Sequence, residues 1–259
     1  AYAEWRRRPT GTIRKFDDID REVVRAVVDR KLAAGEGWLD PLETYSLLTA
    51  AGIPAVASTH AATVFDAVNA AMRIGFPVVL KAQGPAIVNK SESGGVRLGL
   101  QDERDVREAY VDMQARLGEM MTGALVQQMI PGGVEVTVGA TADTTFGHVV
   151  VYGAGGTFVE LLSDVAFRIH PLTDTDIADM VREVRWSKLL RGYRGTPPSD
   201  VDALETIVAR ISALLEICPE IRELDINPVK VLPEGAAAVD ARVRIGAITP
   251  GPPTRRIAY

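Results

Sequence analysis

The side chains best suited to hold a divalent cation lie near the C-terminal end of the chain. Asp225 and Asn227 are two positions apart on a predicted strand, so their side chains project from the same face. A hairpin that turns at residues 233–235 would place Asp240 across from them. Two carboxylates and an amide oxygen suit Mg²⁺ that is held jointly with nucleotide phosphates. A solvated strand face with an unrelated turn carboxylate is the alternative, and spacing alone favours it.

A cationic and glycine-rich region follows an earlier apolar strand. Lys81 ends that strand, where an ammonium in a site that excludes water would pair with phosphate oxygens. A lysine that reaches solvent from the end of a strand is the simpler alternative. Residues 90–95 supply small side chains and main-chain amides that could close over phosphates, and Arg97 lies just beyond them. A polar hairpin loop would have the same composition.

A third polar group surrounds a glycine turn. Gln127, Gln128 and Met129 end an apolar stretch, and Glu135 follows the turn at residues 131–133. Main-chain groups at the end of such a strand could bind the edge of an adenine, while Glu135 accepts hydrogen bonds from ribose hydroxyls. Taken alone, the pattern is that of an ordinary hairpin.

Several familiar sites are missing from the sequence. A G-x-x-x-x-G-K-[ST] loop is absent, which excludes a P-loop NTPase. His60, His148 and His170 have no partners at ligand spacing, which argues against a zinc site. The glycines at residues 153–156 lack the dinucleotide-binding spacing. The chemistry is therefore expected from the three polar groups above.

The composition is that of an ordinary globular protein. The chain has 259 residues, of which 47% are hydrophobic and 24% are charged, and this is enough for one large domain or two lobes. A net charge of −5 provides no basic field, so nucleic acid is not an expected partner. With one cysteine, no secretory leader and no long apolar run, a cytoplasmic protein without membrane contact is expected. The chain starts without Met, so a further domain could precede it.

The elements that must position these groups alternate between helix and strand. Residues 1–36 are predicted to form a linker with a leader helix at 20–33. Asp40 and Pro41 predict the start of a second helix, which ends at Gly52. Helical spacing predicts one later helix after Ser199 and another whose buried face carries Val106, Ala109, Tyr110, Met113 and Leu117. Strands are predicted at residues 76–81, 96–100, 124–129, 134–140, 146–152, 222–232 and 236–241.

Taken in order, these segments resemble the ATP-grasp portion of NDP-forming acyl-CoA synthetases. The resemblance runs from about residue 37 to 245, and each motif becomes specific only as part of the ordered set. The β subunit of succinyl-CoA synthetase is more distantly similar. The motifs are residues 77–81, 89–91, 93–96, 127–135, Glu160 and 223–229.

The resemblance implies the ATP-grasp fold, a mixed α/β fold in which two α+β lobes enclose a nucleotide cleft. The small lobe would comprise residues 37–120 and the large lobe 121–248. A proline-rich tail at 249–259 is expected to be disordered.

The resemblance also implies ATP, ADP and Mg²⁺ as ligands. The Mg²⁺ ligands would be Asp225, Asn227 and Asp240, facing Lys81 across the cleft. The catalytic residues would be Lys81, Lys90 and Arg97. The nucleotide would be held by Lys81, Ser93, Gly94, Gly95, Val126, Gln127, Gln128, Met129 and Glu135, with Glu135 on the ribose.

The family reaction implies further partners. In the family, ATP phosphorylates a histidine on a mobile segment, the phosphate passes to a carboxylic acid, and CoA attacks the resulting acyl phosphate. The expected partner is therefore a CoA-binding domain with that histidine, in the same polypeptide or in a second subunit. CoA and a carboxylic acid are the expected substrates.

Two positions depart from the family pattern. Asn89 stands where active synthetases have a histidine, and an amide cannot relay a phosphoryl group. His148 stands where a small or apolar residue is usual and is interpreted as an edge-strand substitution. Two functions stay open at this point: an ADP-forming acyl-CoA synthetase, or a degenerate domain that senses nucleotide or acyl-CoA within a fused protein acetyltransferase.

Overall fold

The computed structural model describes residues 11–85, 87, 94–155, 164–193 and 195–247. The predictions for Asn89, Lys90, Ser93 and Glu160 lie outside the described residues, and so does the prediction for the tail at 249–259. Within the described ranges, no helix is long and apolar enough to cross a membrane.

Six helices and eleven strands follow one another along the described chain. The helices are α1 (Arg21–Ala34), α2 (Pro41–Ala50), α3 (Val64–Ile74), α4 (Glu103–Leu117), α5 (Asp174–Glu183) and α6 (Val201–Ile217), with 3₁₀ turns at Gly118–Met120 and Arg185–Arg191. The strands are β1 (Gly37–Trp38), β2 (Ser58–Ala61), β3 (Val78–Gln83), β4 (Val96–Leu100), β5 (Gly123–Gln128), β6 (Val134–Asp143), β7 (Gly147–Ala154), β8 (Val165–Ile169), β9 (Ile221–Val231), β10 (Ala236–Ala238) and β11 (Ala241–Ile245).

The chain divides into two compact units by its internal contacts. The large unit comprises Ala1–Ala55 and Gly132–Tyr259, and the small unit comprises Val56–Pro131. The lobe boundaries predicted from the sequence, at residues 37, 121 and 249, stay a prediction.

The large unit contains a seven-stranded sheet whose two faces differ. The strand order is β1-β11-β9-β6-β7-β8, and β10 pairs with β9. One face packs against helices, and its core includes Val136 and Val138 of β6 and Ile207 and Ile211 of α6. The opposite face carries half-buried and exposed side chains at alternating positions. Glu135, Asp225 and Asn227 lie on this second face, which we call the open face.

Local sequence signals explain where the helices begin. Asp20 caps α1, and Asp40 forms a capping box with Glu43 at the start of α2, where Pro41 is the first helical residue. Asp200 caps α6, which confirms the helix predicted after Ser199. Side-chain acceptors at these positions satisfy main-chain N–H groups that have no partner within the first turn.

The small unit has a four-stranded sheet in the order β2-β5-β3-β4. Helices α3 and α4 pack on one face of it, and α4 buries the five residues predicted from the helical spacing. Val78, Leu80 and Ala82 of β3 join that core, which leaves Val79 and Lys81 on the opposite face.

Two predictions about strands are wrong. His148 does not lie on an edge strand, because β7 pairs with both β6 and β8. Its side chain is buried, and Nε2 lies 2.7 Å from the main-chain oxygen of Ile221. The return strand predicted at residues 236–241 is instead broken into β10 and β11, with Asp240 between them.

Candidate functional site

The predicted metal ligands meet where β9 lies beside β11. Asp225 pairs with Arg242 across the two strands, and Ile226 pairs with Ala241. The main-chain N–H of Asn227 donates to the main-chain oxygen of Asp240 over 3.0 Å. Asp225 is exposed, while Asn227 and Asp240 are half-buried. The structure therefore brings the three predicted residues into one neighbourhood of the large unit.

The electrostatics of Asp225 indicate crowded negative charge. Partial desolvation raises the pKa of Asp225, and the carboxylates of Asp240 and Glu223 raise it further. Arg242 opposes these effects, and Thr137 does so to a smaller extent. A cation placed between Asp225 and Asp240 would relieve their mutual repulsion.

The residues present fit a magnesium ion that is shared with phosphates. Mg²⁺ keeps several waters or substrate oxygens and needs only one or two protein carboxylates. In the described part of the chain, no group of three or more His, Cys, Asp or Glu residues could hold a metal. Two carboxylates and one amide oxygen therefore suit a cation that arrives with a nucleotide.

Glu135 lies on β6 beside a cavity of the large unit. It pairs with Lys230 of β9, and Nζ of Lys230 lies 3.6 Å from Oε1 of Glu135. The cavity has a volume of about 540 Å³ and also has Val134, Trp186 and Pro197 among its lining residues. A carboxylate at the border of an apolar cavity could accept hydrogen bonds from hydroxyl groups of a bound ligand.

Lys81 lies in the small unit and is buried, with 9% of its surface exposed. Its main chain pairs with Val96 of β4 and Leu125 of β5. Because its side chain lies on the sheet face away from the helices, the ammonium is outside the apolar core. The alternative of a strand-end lysine that extends into solvent does not fit this burial.

The strand predicted to line an adenine site is β5. Gln127 is buried and donates from Nε2 to Oγ of Ser58 over 3.0 Å. Val126 is fully buried in the core of the small unit, so only its main chain could contact a ligand. The main-chain N–H groups of Gln128 and Met129 donate within the small unit, to the oxygens of Ala57 (2.9 Å) and Pro77 (3.1 Å). An adenine would therefore need the carbonyl oxygens of this segment.

The described end of the glycine loop is organised by Arg97. Gly94 has a φ of 70°, a conformation that favours glycine. Its main-chain oxygen accepts a hydrogen bond of 2.7 Å from Arg97, which also pairs with Asp112. The main-chain oxygen of Gly95 accepts from the N–H of Ala82 over 2.7 Å. Arg97 thus shapes this loop, and its predicted catalytic role stays a prediction.

Three residues near the site were not predicted. Strand pairing places Lys230 opposite Glu135 and Arg242 opposite Asp225. Thr137 lies near Asp225 and lowers the pKa of its carboxyl, and the Thr137 hydroxyl donates to the main-chain oxygen of Ile226 over 3.4 Å. Strand alternation indicates which face of the sheet Thr137 and Lys230 lie on. Their neighbours on the next strand depend on a β-bulge in β9, where Asn227 and Pro228 lie opposite Thr137 alone.

The fold and the site together define a class of protein. Residues 30–245 match the ATP-grasp domain family, and the chain belongs to that family. The ATP-grasp fold of mixed α/β type predicted from the sequence is therefore confirmed.

Two similar proteins are ADP-forming acetate–CoA ligases. The chain is 40% identical over 233 residues to acetate–CoA ligase (ADP-forming) I of Archaeoglobus fulgidus, a match that covers 88% of this chain and 34% of that protein. It is 35% identical over 224 residues to the beta subunit of acetate–CoA ligase (ADP-forming) I of Pyrococcus furiosus, which covers 85% of this chain and 96% of that subunit. The chain thus spans about a third of the fused relative.

A solved structure shares the fold over almost its whole length. It is the dinucleotide forming acetyl-coenzyme A synthetase 1 of Ca. Korarchaeum cryptofilum, in complex with coenzyme A and Ca-AMPCP. The TM-score is 0.81 at 37% identity, covering 86% of this chain and 99% of that one. Another structure of the same enzyme holds Mg-AMPPCP and has its phosphohistidine segment pointing towards the nucleotide binding site.

Proposed function

We propose that this chain is the MgATP-binding part of an ADP-forming acyl-CoA synthetase. The full reaction converts a carboxylic acid, CoA and ATP into acyl-CoA, ADP and phosphate. The observation that supports it most is the meeting of Asp225 and Asn227 on β9 with Asp240, which lies just before β11, in a chain that is similar to ligases of this reaction.

We assign the cation to the large unit. Asp225, Asn227 and Asp240 would hold Mg²⁺, which supplies neutralisation of the phosphate charge when it is bound. Arg242 partly offsets the rise in the pKa of Asp225 and so favours the ionised carboxylate that a cation needs. Thr137 also lowers the pKa of Asp225 slightly, while its hydroxyl donates to the main-chain oxygen of Ile226 over 3.4 Å.

We assign phosphate and base contacts to both units. Lys81 would pair with phosphate oxygens, and the main chain at Gly94 and Gly95 would lie over them. Main-chain oxygens at the end of β5, near Gln128 and Met129, would accept from the adenine amino group. Glu135 would accept from the ribose, with Lys230 holding its carboxylate in place. The chain itself thus supplies charge and geometry, which phosphoryl transfer chiefly requires.

The remaining reaction steps need a partner. The fused relative is about three times as long as the matched region, and the Pyrococcus furiosus relative is named as one subunit. We propose that a CoA-binding part with a phosphohistidine segment acts with this chain, on the same polypeptide or on another. A cytoplasmic location belongs to this proposal, and the buried free thiol of Cys218 fits a reducing compartment.

The acetyltransferase-linked sensor is not favoured. The named relatives that match most of this chain are ligases or synthases. The hypothesis of a sensor domain depends on Asn89, and that residue lies outside the described residues.

Two measurements test the proposal. ATP with Mg²⁺ should raise the melting temperature of the chain, because a ligand that binds the native state stabilises it. ATP with excess EDTA should raise it less. An unchanged melting temperature at millimolar MgATP contradicts nucleotide binding. In the second measurement, ADP release should require a carboxylic acid, CoA and the partner polypeptide together.

A further inference from the structure

The open face of the large sheet becomes apolar towards β8. Phe167 and Ile169 are 53% and 55% exposed, although they lie within a strand. Ala166, between Val165 and Phe167, is buried on the helix-covered face. Phe167 and Ile169 therefore point away from the core on the same side of the sheet.

The exposed surface continues onto β7. Val151 pairs with Phe167, and Val149 pairs with Ile169. Val149 and Val151 are half-buried. We call these four residues the β7–β8 surface. Contiguous apolar side chains that stay exposed on a folded unit commonly mark an interaction site.

This surface shares a row of the sheet with a proposed magnesium ligand. Asp225 pairs with Gly139, Gly139 pairs with Val151, and Val151 pairs with Phe167. Residues paired directly across strands have side chains on the same face. Three strand spacings separate Asp225 from Phe167, or about 14 Å at about 4.8 Å per strand. Because Gly139 has no side chain, the surface of the sheet is depressed between Asp225 at one end of this row and Phe167 at the other.

We propose that the β7–β8 surface docks the polypeptide that carries CoA and the phosphohistidine segment. This inference rests on the proposed function. A partner that receives a phosphoryl group near Asp225 must approach the open face. The β7–β8 surface is the exposed apolar surface beside Asp225 on that face. The two thirds of the fused relative that lie outside the match are long enough to form such a partner.

The test is a binding measurement with a defined probe. The probe is the purified alpha subunit of the Pyrococcus furiosus acetate–CoA ligase, whose beta subunit is 35% identical to this chain. The variant is Phe167→Thr with Ile169→Thr, which keeps strand propensity while removing apolar area. The matched control is Phe65→Thr with Val111→Thr, since these residues are 69% and 54% exposed on helices of the small unit.

The unchanged chain should bind the probe, and the Phe167/Ile169 variant should bind it about tenfold more weakly or worse. The control pair should change the affinity by less than about twofold. No binding by the unchanged chain, or equal weakening by both pairs, overturns the proposal. So does a homodimer of the unchanged chain that the Phe167/Ile169 variant dissociates without altering probe binding, because the surface would then dock a second copy.

Melting curves separate the possible failures. If MgATP stabilises the unchanged chain while the Phe167/Ile169 variant binds the probe normally, only the docking proposal fails. If MgATP does not stabilise the unchanged chain, the proposed function fails first. Should the double variant not fold, Phe167→Lys with Phe65→Lys as its control repeats the comparison with one exposed residue changed.

Discussion

Asn227 and Asp240 are joined by a main-chain hydrogen bond of 3.0 Å, from the N–H of Asn227 to the oxygen of Asp240. The carboxylate of Asp240 is thus held beside β9 by the backbone, although Asp240 itself lies between two short strands. A side-chain substitution at Asp240 can therefore remove the charge and leave the local backbone in place.

Asp240→Asn should weaken MgATP binding by about tenfold or more, because it removes one of two carboxylates that would share the cation. The amide keeps an oxygen that can accept from the N–H of Ala241, as Oδ1 of Asp240 does over 3.0 Å. Stability without nucleotide should change little. Titration calorimetry with MgATP measures the effect. Asp202→Asn on α6 is the control, and equal losses for both variants would remove the assignment.

Lys81→Met should lower nucleotide affinity. Methionine retains most of the side-chain volume of this buried residue and removes its ammonium. Loss of phosphate contacts is expected to weaken ATP binding by about tenfold or more and adenosine binding by much less. Competition binding with both ligands measures this difference.

Lys188→Met is the matched control, since Lys188 is exposed on a 3₁₀ turn of the large unit. It should leave both affinities unchanged. A Lys81→Met variant that binds ATP normally would show that the lysine has a structural role alone.

Much of this architecture could be predicted because local signals and burial agree. The buried residues of α4 repeat at helical spacing, and Asp40 with Pro41 gives α2 an unambiguous start. Asp225 and Asn227 could be placed on one face because strand alternation has a period of two. The order of the motifs along the chain then indicates the ATP-grasp family, which the spacing of any one motif does not.

The rest could not be predicted because it depends on pairing between distant segments. Lys230 opposes Glu135 only after the bulge in β9 has set the register. The sequence does not show that the strand of His148 has neighbours on both sides, because the pattern of a single strand does not reveal how many strands pair with it. The contact of His148 with His170 also depends on the pairing of β7 with β8, because their rings lie 6.1 Å apart.

His170 should make the protein less stable in acid. Burial lowers the pKa of His170, and nearby His148 lowers it further, while Glu216 partly opposes both effects. The folded state therefore binds fewer protons than the unfolded state between this lowered pKa and the unfolded value of about 6.5. The contribution of neutral His170 to the free energy of unfolding is complete above about pH 6.5, and it is lost as the pH falls through the pKa of His170 in the folded state.

His170→Gln should reduce that pH dependence, since glutamine does not titrate and can still hydrogen-bond with Ser212. Urea unfolding at pH 5.5 and pH 7.5 gives the comparison, with exposed His60→Gln as the control. If the stability difference between the two pH values is the same in His170→Gln as in the unchanged chain, His170 is not its source.

Tyr152→Phe should stabilise the protein or leave its stability unchanged. The hydroxyl of Tyr152 is buried and has no hydrogen-bond partner among the described residues, while its ring packs 5.4 Å from that of Trp186. Removing an unsatisfied buried hydroxyl relieves a desolvation cost of about 1 kcal/mol or more. Tyr45→Phe and Tyr110→Phe should instead cost about 1 kcal/mol each, because their hydroxyls donate to main-chain oxygens over 3.0 Å and 2.8 Å. Chemical unfolding measures the change in the free energy of unfolding, which should be negative for Tyr45→Phe and Tyr110→Phe and zero or positive for Tyr152→Phe. If Tyr152→Phe loses as much stability as the other two variants, a bound water or ligand satisfies the Tyr152 hydroxyl.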